Sequence, residues 1–426
     1  MNLPSLHADA ITGRCKDRRA DVKIRPPLHG IGEGRLLRTV SPQHADPQEP
    51  MCRIRPLFNR FSALAVTLSL VAGCSTTPDN AGNGRATPAE PPAAFGKVYL
   101  TSNALLDDAT DPAVTTAGDF LIYRAVEPGQ TFPQLYVVGL IYDDAGRPGL
   151  RSTPIRVSPQ GSRNATPAFS PDGRSLVFAS TADASIDPLA DDARPAFAVR
   201  YEQLADLFRA DDWQRSVAAG DPRAGVDLAR HPITDGGGFD GEPAFSPDGR
   251  FLVFSSDRAA ERATGRSDVD LYLAEADGTV LARIVGEPGA DGAASWSPDG
   301  SAIVFESERR RPGSSDLYVL RLRPEREGGP PMPQGPARRI TTAADARTPF
   351  WTTDGLIVYS AVADRGTDGA RELRVVRPNG RNDRSLGIAG EAPVVTSDGR
   401  LLIAADRVGT GRQVFAVPFD DGRVVR

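Results

Sequence analysis

Catalysis needs nucleophiles, proton carriers or metal ligands, and this chain is short of all three. Of its 4 histidines, His7, His29 and His44 fall in the first fifty residues, and only His231 follows. A Ser-His-Asp triad or a histidine-rich metal site would have to be built on that residue. It stands in "LARHPITDGG", a stretch that reads as an outer strand rather than a catalytic loop. No G-x-S-x-G occurs. The acidic runs "SDVDLY" (267–272) and "ADDAR" (190–194) offer oxygen ligands for Ca²⁺, but neither has the spacing of a full ligand loop. No catalytic residue, metal site or cofactor is expected; Ca²⁺ at these runs is the one alternative.

The thiol of Cys74 has a clearer chemistry. Residues 61–73, "FSALAVTLSLVAG", form an apolar run of signal-peptide length, too short to span a bilayer, with Arg53, Arg55 and Arg60 ahead of it. The run ends in "LVAGC" (70–74), which matches the bacterial lipobox, where cleavage precedes the cysteine and its thiol receives a diacylglyceryl group. Ser75, in place of an aspartate, points to the outer membrane. Residues 51–73 then read as the signal, with Met51 as the start and residues 1–50 as a mis-assigned or disordered extension. Residues 75–94 are a Pro/Gly/Ala/Thr-rich tether without a core-forming pattern, reaching roughly 25 Å at random-coil scaling.

Cleavage changes the charge balance. From Cys74 onward the chain holds 39 Lys+Arg against 49 Asp+Glu, a net of −10, and Lys97 is its only lysine. Such a balance disfavours nucleic acid and anionic lipid as partners, because both require basic patches. The membrane is reached through the anchor alone. Cys74 is also the last cysteine, so no disulfide forms within the mature chain, and a monomer is expected.

What must position any site is a repeat. "AFSPDGR" stands at 168–174 and again at 244–250. Anchored on the aspartate, copies stand at Asp172, Asp248, Asp299, Asp354 and Asp398, with a decayed sixth upstream at Ala117; the intervals run from 44 to 76 residues. Five residues before each anchor come Pro112, Pro167, Pro243, Ala294, Pro349 and Pro393. After each comes an aliphatic-aromatic run such as Leu176–Phe178 or Ile303–Phe305. An apolar stretch, a D-G turn and a second apolar stretch make a β-hairpin. A third strand follows in "QLYVVGL" (134–140), "DLYLAEA" (270–276), "DLYVLRL" (316–322), "ELRVVRP" (372–378) and "QVFAVPF" (413–419), and a fourth in most copies. Four strands per unit of this length is the arithmetic of a propeller blade.

"PAFSPDGRSLVFAS" and its copies resemble the TolB-type propeller repeat, also seen in the propeller of prolyl oligopeptidases. The resemblance runs from about residue 97 to 426 and implies an all-β, six-bladed propeller over 95–426. It departs from TolB itself in having no α/β domain ahead of the repeats. It implies two classes of function: a non-catalytic platform that binds an envelope protein, peptide or glycan, or a polysaccharide lyase on a TolB-like propeller. Lyases of that kind rely on several histidines, which this chain lacks, so the platform is the reading adopted.

Three expectations follow for the ring. "KVYLTS" (97–102) has no blade of its own and is expected to pair with the last one, closing the circle. The long second interval holds an insertion near 181–230, in which 201–218 carries Leu204, Leu207, Phe208 and Val217 at near-helical spacing and is expected to form a helix. The polar residues just ahead of the repeated proline, namely Asn164, Asp240, Glu242, Asp291, Arg347 and Glu391, are expected to face water around one mouth of the central channel.

Overall fold

Each copy of the repeat folds into one antiparallel sheet. A computed structural model describes residues 95–425, apart from 103–105, 183–204, 221–223, 236–237, 260–267, 343–344 and 364–369. Cys74, the tether, residues 1–50 and the run 190–194 lie outside the described residues. No helix among the described residues is long and apolar enough to cross a membrane.

The described residues form six sheets. Their innermost strands are Asp107–Val114, Asn164–Phe169, Asp240–Phe245, Asp291–Trp296, Arg347–Trp351 and Glu391–Val395, one from each copy. Every innermost strand touches the next, and the sixth touches the first, so the sheets form a ring. The chain is a six-bladed β-propeller. Its circle closes as expected: Val98–Tyr99 is the outermost strand of the last blade, with Val98 opposite Ala416 and Tyr99 opposite Phe415.

The turn chemistry is the same six times. Ser170 donates to Asp172 at 2.6 Å, Asp172 accepts the Arg174 N–H at 3.1 Å, and Gly173 takes φ +70°. Ser246–Asp248, Ser297–Asp299, Thr352–Asp354 and Thr396–Asp398 repeat the hydroxyl–carboxylate bond. The decayed first copy keeps it by another route: Thr115 donates to Asp119 at 2.6 Å, and Gly118 still supplies φ +72°. These aspartates hold turns, which accounts for their recurrence without any acid-base role.

The second blade corrects one expectation. Asp206–Asp211 is not helical but the blade's third strand, paired with Ser175–Ser180, and among the described residues of the insertion only Trp213–Ala219 forms a helix. The strand is apolar on both faces because blades pack on either side, so Leu207 and Phe208 mimic helical spacing. Leu204 lies outside the described residues. The helix seals the blade: Trp213 is fully buried, lies 5.1 Å from the rings of Phe120 and Phe169, and donates its indole N–H to the Gly173 carbonyl at 3.0 Å.

Candidate binding site at the channel mouth

The residue just before the repeated proline breaks a backbone rule in every blade. Asp111, Thr166, Glu242, Ala293, Thr348 and Ala392 all take φ between +47° and +53°, and none is glycine. Left-handed backbone of this kind costs on the order of 1–3 kcal/mol per residue. At each of these positions the ladder to the second strand shifts register, the signature of a β-bulge. A ring of six bulges thus lines the axis of the propeller.

The bulge sorts the expected site residues by offset. Three before the proline, Asn164, Asp240 and Asp291 are buried to within 1%. They do not face water at the mouth, and this corrects the expected placement. Asn164 bonds to the Ser162 carbonyl at 3.0 Å. Asp240 is held through both oxygens by Arg258 at 3.0 and 2.9 Å. Arg309 reaches one oxygen of Asp291 at 2.9 Å, and burial, only partly offset by that guanidinium, pushes the Asp291 carboxyl up to about 7. Glu242, Arg347 and Glu391, one or two before the proline, are half-buried and do line the mouth, a cavity of about 420 Å³.

Neighbouring blades are laced there. The Glu242 N–H donates to Thr166 of the second blade at 3.1 Å, and the Ala293 N–H donates to Glu242 of the third at 2.7 Å. The Thr348 N–H donates to Glu306 of the fourth at 2.8 Å. Backbone donors that the bulge turns towards the axis are thus met by side chains of the preceding blade.

Four arginines add positive charge, each paired with a carboxylate. Arg124 stands 3.1 Å from Asp111; Arg347 and Arg371 each stand 2.7 Å from Asp345; Arg412 bridges Asp108 at 2.5 Å and Glu391 at 2.9 Å. Burial pushes Asp345 up, but the Ser315 N–H and the two guanidinium groups outweigh it and hold its carboxyl below the usual range. Hydrogen bonds from Arg412 do the same for Asp108 despite its burial. Burial pulls the Arg371 guanidinium below its ordinary value. Sequence reading missed Arg124, Arg371 and Arg412, which sit in second and third strands whose apolar runs drew attention elsewhere.

This mouth offers half-buried guanidinium and carboxylate groups side by side, suited to the mixed donors and acceptors of a peptide backbone or a sugar. His231, the one histidine after Cys74, stands exposed on the outermost strand of the second blade. Of the acidic run 267–272, Asp268 accepts the Gly289 N–H at 3.0 Å, and Asp270 is buried against Arg283 at 3.0 Å. Among the described residues no group of three His, Cys, Asp or Glu side chains is placed to hold a metal ion.

Fold and mouth together define a closed six-bladed propeller with a polar axial cavity. Solved structures of similar fold include a TolB protein of Agrobacterium tumefaciens (16% identity, 74% of this chain, 91% of that chain, TM-score 0.47). Others are TolB of Acinetobacter baumannii (16%, 75% and 65%, TM-score 0.44) and an oligogalacturonate lyase of Vibrio parahaemolyticus (13%, 76% and 94%, TM-score 0.45). No family model and no curated protein matches the chain.

Proposed function

We propose that the chain is a non-catalytic platform of the bacterial cell envelope, lipid-anchored through Cys74 to the outer membrane with its propeller in the periplasm, and that its channel mouth binds a protein or peptide segment or a glycan. The observation that carries the reading is the mouth: Arg and carboxylate side chains together around a cavity of about 420 Å³, on strands laced from blade to blade. A cavity of that size suits one short segment.

The test is capture of arrayed envelope peptides and oligosaccharides by the full chain. Arg347→Gln with Glu391→Gln removes two charge partners and is expected to weaken capture at least tenfold, since a charge-assisted hydrogen bond is worth about 1.5–3 kcal/mol. The melting temperature should fall only slightly. Capture untouched by the double variant, or cleavage of oligogalacturonate by the purified chain, would replace the reading with its lyase alternative or with another face.

Anchoring has its own test. Cys74→Ala is expected to accumulate unprocessed precursor and to abolish incorporation of labelled palmitate. Persisting label would remove the lipid anchor from the account.

A further inference from the structure

Four blades repeat a stacked aromatic pair between directly opposed residues of their second and third strands. The pairs are Tyr123–Tyr136 (6.1 Å, 24°), Phe178–Phe208 (6.3 Å, 29°), Phe254–Tyr272 (5.9 Å, 30°) and Phe305–Tyr318 (5.9 Å, 26°). Three of the four carry a guanidinium on the rings. Arg258 lies 5.0 and 5.2 Å from the centroids of Phe254 and Tyr272. Arg309 lies 5.4 and 4.5 Å from those of Phe305 and Tyr318. Arg230 lies 5.3 Å from Phe208.

In the third and fourth blades the arrangement follows a rule of position. The arginine stands four residues after the first aromatic, and an aspartate three before the repeated proline or its Ala294 counterpart pairs with it: Asp240 with Arg258, Asp291 with Arg309. The first blade changes both positions, with Glu127 in place of the arginine and the uncharged Ala109 in place of the aspartate. Among the described residues no cation lies over Tyr123 or Tyr136. Instead a cavity of about 450 Å³ opens against both rings, lined also by Glu127, Leu100, Leu106 and Leu150.

The Tyr123 hydroxyl supplies a second, independent sign. Tyr123 is fully buried, and its hydroxyl has no hydrogen-bond partner among the described residues. The fifth blade places Tyr359 at the same repeat position and satisfies it with Asp383 at 2.6 Å and Arg374 at 3.2 Å. An unmet buried hydroxyl is costly unless something enters the space beside it. Glu127 accepts the Tyr136 hydroxyl through one oxygen at 2.6 Å. Among the described residues the one basic side chain on the cavity wall is Arg156, and it is committed to Asp227 at 2.6 Å, the Ala224 carbonyl at 3.0 Å and the Ser158 carbonyl.

We propose that this cavity binds a small organic cation, a guanidinium or alkylammonium group on a short aliphatic chain. Its head lies over the Tyr123–Tyr136 pair against Glu127, as Arg258 and Arg309 lie over theirs, and its chain lies along Leu100, Leu106 and Leu150. The site is separate from the channel mouth and stands or falls without it.

The experiment is calorimetric titration of the full chain with n-butylguanidinium, with n-butanol as the uncharged control. One-to-one binding of the cation and none of the alcohol is expected. Glu127→Gln, which keeps the shape and removes the charge, should weaken binding at least about tenfold. Tyr123→Phe should weaken it less. Ala109→Asp with Glu127→Arg installs the third-blade arrangement and should abolish binding by filling the slot from within. Equal binding of butanol, or an affinity unmoved by Glu127→Gln, overturns the proposal, and these two measurements decide it even should the double variant fail to fold. Acetyl-arginine amide separates the sources: equal affinity assigns the site to an arginine side chain of a partner, and exclusion assigns it to a free small molecule. Either result upholds the cation site.

Discussion

Deleting residues 95–102 is expected to cost the propeller most of its cooperative stability. The last blade then loses its outermost strand, and the edge of its third strand around Val414–Ala416 is left open. Three kinds of contact go at once. The Leu100 N–H bond to the Val414 carbonyl (2.8 Å) and the Val414 N–H bond to Thr101 (2.9 Å) are lost, at about 1 kcal/mol each. Leu100, only 4% exposed in the core between the last and first blades, leaves a hole of the kind that costs about 2–5 kcal/mol. Lys97 abandons its ion pair with Asp406 and its place 4.1 Å over Phe415. Against a total of about 5–15 kcal/mol, the sum is a large fraction. A calorimetric melt should show a transition lowered by about 10 °C or more, broadened, and dependent on protein concentration as free edges pair. A deletion variant that melts like its parent would mean that the circle is held without this strand.

The second large effect is a pH dependence carried by Asp291. Its carboxyl rises from 3.8 to about 7 because burial disfavours the charged form more than Arg309 favours it. In the unfolded chain the proton leaves near the lower value, so between about pH 4 and 7 the native state binds more proton than the unfolded one. Stability from this group is therefore full below pH 4, falls as pH rises through that window, and is lost above about pH 7. At 1.36 kcal/mol per unit, the swing is of order 4 kcal/mol. Asp291→Asn keeps the shape and cannot ionise, so its stability should be flatter from pH 4 to 8 and exceed the parent's at pH 8. Denaturant melts at four pH values measure both curves. Parallel curves would show Asp291 charged throughout, stabilised by Arg309 more fully than its burial opposes.

How much of this was legible before the structure depends on which physical signal a residue carries. The D-G turns and the strands around them are written in local chemistry, so six blades and their closure by 97–102 can be read directly. The decayed first copy is legible too, and Asp119, bonded to Thr115, supplies the carboxylate that its anchor position lacks. The third strand of the second blade was hidden because burial on both faces erases the alternation that marks a strand. The site was half legible for a different reason. Alternation puts residues two apart on one face, but the bulge before each proline inserts a residue and turns the backbone left-handed without any glycine to announce it. Ala109, Asn164, Asp240, Asp291, Ala346 and Gly390, three before the proline, are all buried in consequence. Asp111, Thr166, Glu242, Ala293, Thr348 and Ala392, one before it, are all half-buried at the bulge.

The channel mouth as a binding surface is the central claim, and photo-crosslinking from inside it is the most direct measurement. Ala392 suits the purpose, since it lines the mouth, already holds a left-handed backbone as a non-glycine residue, and has a side chain too small to lose bonds. A photoreactive phenylalanine at 392, in the full chain in intact cells, is expected to give one discrete adduct on illumination, and Arg347→Gln should abolish it. The same probe at Val280, exposed on the outermost strand of the third blade, should give none. An adduct from 280 and none from 392 would contradict the account and move the binding surface to the rim of the propeller.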